Sequence, residues 1–108
     1  MKSLTIFVDI DGTICNEGPV SERARRKPLP GARAALKKMR KDGHVVVLWT
    51  AREWTHYKLT KKWLDKHGFE YDQILMGKPV AHVWIDDRAR EFKGWDKDYI
   101  SDILSQYD

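Results

Sequence analysis

Three short apolar runs, Leu4–Val8, Val45–Trp49 and Ala81–Ile85, constrain the fold of this chain more than any other feature of its sequence. Each is nearly continuous in apolar residues rather than alternating, as strands covered on both faces of a parallel sheet are. A weaker run, Gln73–Leu75, is expected to join them. Helical patterns fill the intervals. Ala32, Ala35, Leu36 and Met39 recur at helical spacing, with Pro30 near the start and Gly43 at the stop. Glu53–His67 carries Trp54, Tyr57, Leu59, Trp63 and Leu64 and ends at Gly68. The tail repeats the pattern in Ile100, Ile103, Leu104 and Tyr107. Strands alternating with helices predict an α/β fold: a three-layer α/β/α sandwich around a small central parallel sheet, joined by right-handed crossovers. The expected strand order is third-second-first-fourth, and ligands bind such sheets at the carboxyl ends of the strands near the reversal.

The length of 108 residues predicts one domain spanning 1–108. Hydrophobic content of 42% with five Trp excludes disorder. The lone Cys15 has no partner for an intramolecular disulfide, and no apolar run approaches the ~20 residues that span a bilayer. A soluble, cytoplasmic protein without membrane contact is expected. The charge is uneven. Arg23, Arg25, Arg26, Lys27, Arg33, Lys37, Lys38, Arg40 and Lys41 form a run without an acid. It reads first as a solvated helix face and loop, and alternatively as a surface for nucleic acid or another polyanion.

The strand ends carry the chemistry. Asp9-Ile10-Asp11-Gly12-Thr13 follows the first strand and Thr50-Ala51-Arg52 the second; Gly77-Lys78-Pro79 precedes the last strand and Asp86-Asp87-Arg88 follows it. Four carboxylates, a hydroxyl and an ammonium thus converge on one sheet edge in the expected fold. Packed carboxylates repel and are costly to bury, and a hard divalent cation relieves both. Mg²⁺ suits this set, because it takes one or two carboxylates, waters and a substrate phosphate. An aspartate can also attack phosphorus, and a second can move the proton of the leaving oxygen or the water.

These four elements, in this order, resemble the motifs of the haloacid dehalogenase (HAD) superfamily of Mg²⁺-dependent phosphatases. Asp9–Thr13 matches its Asp-x-Asp-Gly-Thr, Val45–Thr50 its strand ending in Thr or Ser, Lys78 its lysine, and Ala81–Asp87 its strand ending in paired acids. The resemblance implies that Asp9 is the nucleophile and a metal ligand. It implies that Asp11 is the general acid/base and a metal ligand through its main-chain carbonyl. Asp86 becomes a metal ligand, with Asp87 binding directly or through water, while Thr50 and Lys78 hold the phosphoryl group. Ala51 and Arg52 complete the substrate-binding set, with Arg52 either on the rim or paired with Glu53 or another nearby acid at the start of the helix.

Gly12–Leu29 has room for only a short flap, and Thr50 to Lys78 is used up by one helix and one strand, which resembles a capless member. Such an open site is covered by a large substrate or by a neighbouring subunit, so an oligomer fits. Asn16, Glu17 and Arg23 lie in the flap within reach of substrate; Trp54 reads as a core residue, and an exposed aromatic there would stack on a sugar or base. Cys15 reads as a small packed residue. The local patterns are similar to small bacterial and phage phosphatases associated with capsule biosynthesis, which implies a small phosphorylated metabolite, a sugar phosphate foremost. A phosphatase of polynucleotide ends or nucleotides is the alternative, and a non-catalytic binding domain of the same fold a third.

Overall fold

Parallel pairing is what the apolar runs produce. In a computed structural model, which describes residues 2–107, β1 (Thr5–Val8), β2 (Val45–Trp49) and β3 (Gln73–Leu75) form one parallel sheet in the order β1-β2-β3. Thr5 stands opposite Val45, and Val47 opposite Gln73. Helix α1 (Ala32–Lys41) makes the first crossover. The second is one 3-10 turn, Trp54–His56, running into α2 (Tyr57–Lys66). The flap holds a short 3-10 helix, Val20–Arg25, and the tail forms α3 (Lys97–Ser105). The expected α/β class and parallel sheet are present.

Side-chain alternation sorts the sheet into two faces. Val8, Val46, Leu48 and Ile74 join Leu36 and Met39 of α1 and Trp63 and Leu64 of α2 in a single buried cluster. Two right-handed crossovers that advance in the same direction put both helices over this face. The opposite face carries Phe7, Val45 and Trp49 and is partly open. Phe7 meets Trp49 edge-on at 5.7 Å, and Trp84 lies tilted over Trp49 at 6.2 Å. The start of α1 is fixed by Gly31, whose φ of 80° and whose neighbour, the Trp95 carbonyl 3.1 Å from a would-be Cβ, both demand glycine.

One expected strand is missing. Among the described residues Ala81–Ile85 pairs with no strand, and β1 is left as an edge of the sheet. The cause is its connection. The Lys78 amide donates to the Thr50 carbonyl at the carboxyl end of the sheet, 2.8 Å away, and only Pro79 and Val80 separate Lys78 from Ala81. A parallel strand needs a crossover of about a dozen residues, which this is not. Trp54 also departs from expectation: it lies exposed beside Tyr57, at 6.0 Å, because α2 begins only at Tyr57. Among the described residues no helix is long and apolar enough to cross a membrane.

Candidate active site

The chain leaves β1 through a tight loop. The buried Ile10 carbonyl accepts the amides of Thr13 (3.1 Å) and Ile14 (2.9 Å), and the Gly12 amide donates to the Cys15 carbonyl at 2.9 Å. Gly12 takes φ 81°, with Glu17 Oε1 2.9 Å from where a Cβ would stand. This loop sets Asp9, Asp11 and Glu17 near one another. Burial pushes the Asp9 carboxyl above its ordinary value, against the pull of Lys78 and of the Ile10 amide, and the charges of Asp11 and Glu17 push the same way as burial.

The end of β2 is laced to the segment after β3. The Thr50 amide donates to the Leu75 carbonyl (2.9 Å), and the Gly77 amide to that of Arg52 (3.0 Å). The buried Thr50 Oγ1 accepts the Arg52 amide at 3.1 Å. The lacing brings the Lys78 ammonium into the field of Asp9 and rests it over the Trp49 ring, 5.1 Å from its centroid. Asp9, Thr50 and Lys78 therefore gather at the carboxyl ends of β1 and β2, where an open α/β sheet binds its ligand.

Asp11 is held differently. Of the two expectations for Arg52, the pair with a nearby acid is the one found, and the side chain is fully buried rather than on the rim: Nε and Nη2 donate to the two Asp11 oxygens at 2.8 and 2.7 Å, and Nη1 donates to Thr60 Oγ1 at 3.0 Å. Its planar fork matches the carboxylate. Arg26 Nε adds a bond of 3.3 Å to Asp11 Oδ1, and Arg26 Nη2 donates to the Gly18 carbonyl at 2.7 Å. Burial alone would raise the Asp11 carboxyl, but the hydrogen bonds and charge of Arg52, with the bond from Arg26, outweigh it and hold Asp11 below its ordinary value. Cys15 Sγ sits 3.6 Å from the same carboxylate. Burial, joined by that charge, pushes the thiol up to about 12, so Cys15 is the inert packed residue expected.

The four carboxylates do not converge within one chain. Asp86 is exposed, and its Oδ1 accepts the amides of Arg88 (2.7 Å) and Ala89 (2.8 Å). The charges that act most on Asp9 are those of Lys78, Asp11 and Glu17. Among the described residues no group of three or more His, Cys, Asp or Glu is placed to hold a metal. The reason is the missing strand: without a partner for Ala81–Ile85, nothing carries Asp86 to the sheet edge.

In the flap, Arg23 bonds Glu53 (3.1 Å) and His56 Nδ1 (3.0 Å), and Asn16 Oδ1 accepts the Lys27 amide at 2.8 Å. Arg26 is the functional neighbour that the sequence reading missed, hidden inside a basic run taken as one solvated surface. The signal available was the crowd of acids itself, which calls for arginine as well as metal. Five of the nine residues of that run find carboxylate partners: Arg23 with Glu53, Arg25 with Glu22, Arg26 with Asp11, Lys38 with Asp42, and Arg40 with Glu70 and Asp72.

The family model for haloacid dehalogenase-like hydrolases matches residues 6–76. This chain belongs to that family of hydrolases, and no cap is apparent among its described residues. The match takes in Asp9, Asp11, Thr50 and Arg52 and stops short of Lys78 and Asp86. A crystal structure from Vibrio cholerae is similar at 27% identity and TM-score 0.72, over 96% of this chain and 98% of that one. The Pnkp1/Rnl/Hen1 RNA repair complex contains a chain of related fold, at 21% identity and TM-score 0.61, of which 32% is covered. The D,D-heptose 1.7-bisphosphate phosphatase of B. bronchiseptica, solved with magnesium and phosphate, shares the fold at 19% identity and TM-score 0.57; 64% of it is covered. No curated protein matches this chain.

Proposed function

We propose that this chain is a Mg²⁺-dependent phosphomonoesterase acting on a small phosphorylated metabolite, a sugar phosphate foremost, through an aspartyl-phosphate on Asp9. The observation that carries the reading is the trio of Asp9, Thr50 and Lys78 at the carboxyl ends of neighbouring parallel strands. A half-buried carboxylate opposed chiefly by one lysine fits a site that gains a cation when it works. The Asp9 carboxylate and the Asp11 main-chain carbonyl would hold Mg²⁺, with Asp86 and, directly or through water, Asp87 as further ligands. The ion supplies charge neutralisation to the phosphoryl dianion.

The chain's own groups divide the rest. A carboxylate oxygen of Asp9 bonds to phosphorus as the ester P–O bond breaks and the leaving oxygen takes up a proton. Thr50 Oγ1 donates to a phosphoryl oxygen, and Lys78 adds a charge-assisted bond. Water then attacks phosphorus, the P–O bond to Asp9 breaks, and the water's proton passes to a base. Asp11, kept ionised by Arg52 and Arg26, is suited to that second role. In the first step its protonated form, which both arginines disfavour, would give the leaving oxygen its proton and become the carboxylate that then serves as that base. The exposed Trp54, backed by Tyr57 at 6.0 Å and next to Gly77, offers a stacking face for a sugar beyond the phosphate.

The polynucleotide reading loses weight because the basic run spends more than half its charges on ion pairs within the fold. The non-catalytic reading is disfavoured by the retention of Asp9, Asp11, Thr50 and Lys78 together. The test is phosphate release from an aryl phosphate with Mg²⁺, followed by a panel of sugar phosphates, nucleotides and 3′-phosphorylated oligonucleotides. Asp9→Asn is expected to lose activity about a thousandfold or more, as removal of a nucleophile does. Equal rates in both proteins would end the covalent mechanism, and turnover confined to oligonucleotides would replace the substrate class.

A further inference from the structure

We propose that Ala81–Ile85 of one chain is the missing edge strand of a second copy, lying parallel to that copy's β1 and carrying Asp86 to its Asp9. The delivery of Asp86 rests on the phosphatase reading; the exchange of the strand does not. Chain length makes the argument. For Asp86 to stand beside Asp9, a parallel strand must begin level with Leu4, roughly 17 Å below the carboxyl end of the sheet at ~3.3 Å per residue. It must also clear two strand spacings from the Thr50 side of β2 to the open side of β1, about 10 Å more. The three steps from Lys78 to Ala81 span at most ~11 Å, against the ~20 Å required. A chain cannot supply this strand to itself. Running down from Lys78 beside its own sheet, the segment would be antiparallel and would leave Asp86 at the wrong end.

Both halves of the joint are exposed in the single chain. β1 pairs on one side alone, and Phe7 is 51% exposed. Val83 and Ile85 are 70% and 94% exposed, although the segment has the composition of a buried strand. An open strand edge is a template for another strand. Levelling Asp86 with Asp9 sets Ile85 beside Val8, Trp84 beside Phe7, Val83 beside Ile6 and His82 beside Thr5. Ile85 and Val83 then continue the face that Val8 and Ile6 turn to the core, and Trp84 adds to Phe7 and Trp49 on the other. A connection too short to double back is free to extend outward. A reciprocal exchange about a two-fold axis closes both edges at once, so the assembly stops at two.

Three measurements decide it. Light scattering at tens of micromolar should give twice the 12.7 kDa of one chain, and Ile85→Asp, exposed in the single chain, should return it to one while keeping its circular dichroism. Thr5→Cys combined with His82→Cys should yield a covalent dimer on oxidation; buried Cys15 stays silent. Asp9→Asn and Asp86→Asn, each inactive alone, should recover about a quarter of wild-type activity when unfolded together and refolded. Each mixed dimer then holds one intact site, and half the dimers are mixed. A 12.7 kDa species with no interchain cross-link overturns the exchange, whatever the activity. A cross-linked dimer whose mixed variants stay dead overturns the delivery of Asp86 alone. A wild-type protein without phosphatase activity defeats the functional reading and leaves the mass and cross-link to judge the strand.

Discussion

Asp11 and Asp86 are the same residue type in the same setting, an acid just after an apolar run, and the fold treats them in opposite ways. Asp11 is gripped by Arg52 and Arg26 inside a loop closed over the core. Asp86 is wrapped only by the amides of its own turn and faces solvent. The difference lies in the strand before each. β1 is paired to β2 and reaches the core through Val8, whereas Ala81–Ile85 pairs with no strand among the described residues. An apolar run specifies a strand only if the connection lets it reach an edge. A carboxylate is positioned only as firmly as the strand that bears it.

The sharpest way to break this comparison is to remove the grip on one side and the charge on the other. Arg52→Met should cost about 3–5 kcal/mol, since it removes the buried guanidinium that binds the partly buried Asp11 carboxylate through two bonds and also bonds Thr60. At about 4–8 °C per kcal/mol, that is a fall of more than ten degrees in melting temperature. Asp86→Asn, whose side-chain oxygen can still accept the Arg88 and Ala89 amides, should leave stability close to wild type in the absence of metal. Urea denaturation of both variants at pH 7 checks it. Equal costs would erase the contrast between a built site and a loose one.

Much of this was legible in the sequence, for identifiable reasons. Val45–Trp49 and Gln73–Leu75 form strands at the expected bounds, because an apolar run flanked by glycine or acid leaves little choice of period. Asp9, Thr50 and Lys78 come together because parallel topology alone brings strand ends to one side. Other features needed three dimensions. Arg52 and Trp54 are two residues apart, yet one is buried and the other exposed. Their fates depend on the lacing of Thr50 to Leu75 and Lys78, which no periodicity encodes. The fourth strand failed on arithmetic that the sequence did contain, since Pro79 and Val80 are too few for a crossover.

Acid sharpens the comparison at the level of Asp11 itself. Its folded value lies below the ordinary 3.8, so the native state holds the carboxylate more readily than the unfolded chain does. The contribution is therefore whole above that ordinary value and is lost as pH falls through the lower, folded one. Asp11→Asn should be the less stable protein by about 1–3 kcal/mol at pH 7, with the gap closing below pH ~3.8. A gap that widened on acidification would mean that the arginines do not govern this carboxylate.

The smallest effect runs the other way, at Asp9. Burial raises its folded value, so the native state prefers the protonated form, and stability declines as pH climbs from the ordinary 3.8 through the raised value. At neutral pH the ionised Asp9 is a cost that Asn does not carry. Asp9→Asn should melt a few degrees higher than wild type, about 1 kcal/mol, and the advantage should vanish in acid. Millimolar Mg²⁺ should shrink that advantage by stabilising the wild type, since a ligand bound only by the native state raises stability by RT ln(1 + L/Kd), with L its free concentration. An Asp9→Asn protein that melts at or below the wild type in the absence of the ion would show that Asp9 is anchored as firmly as Asp11.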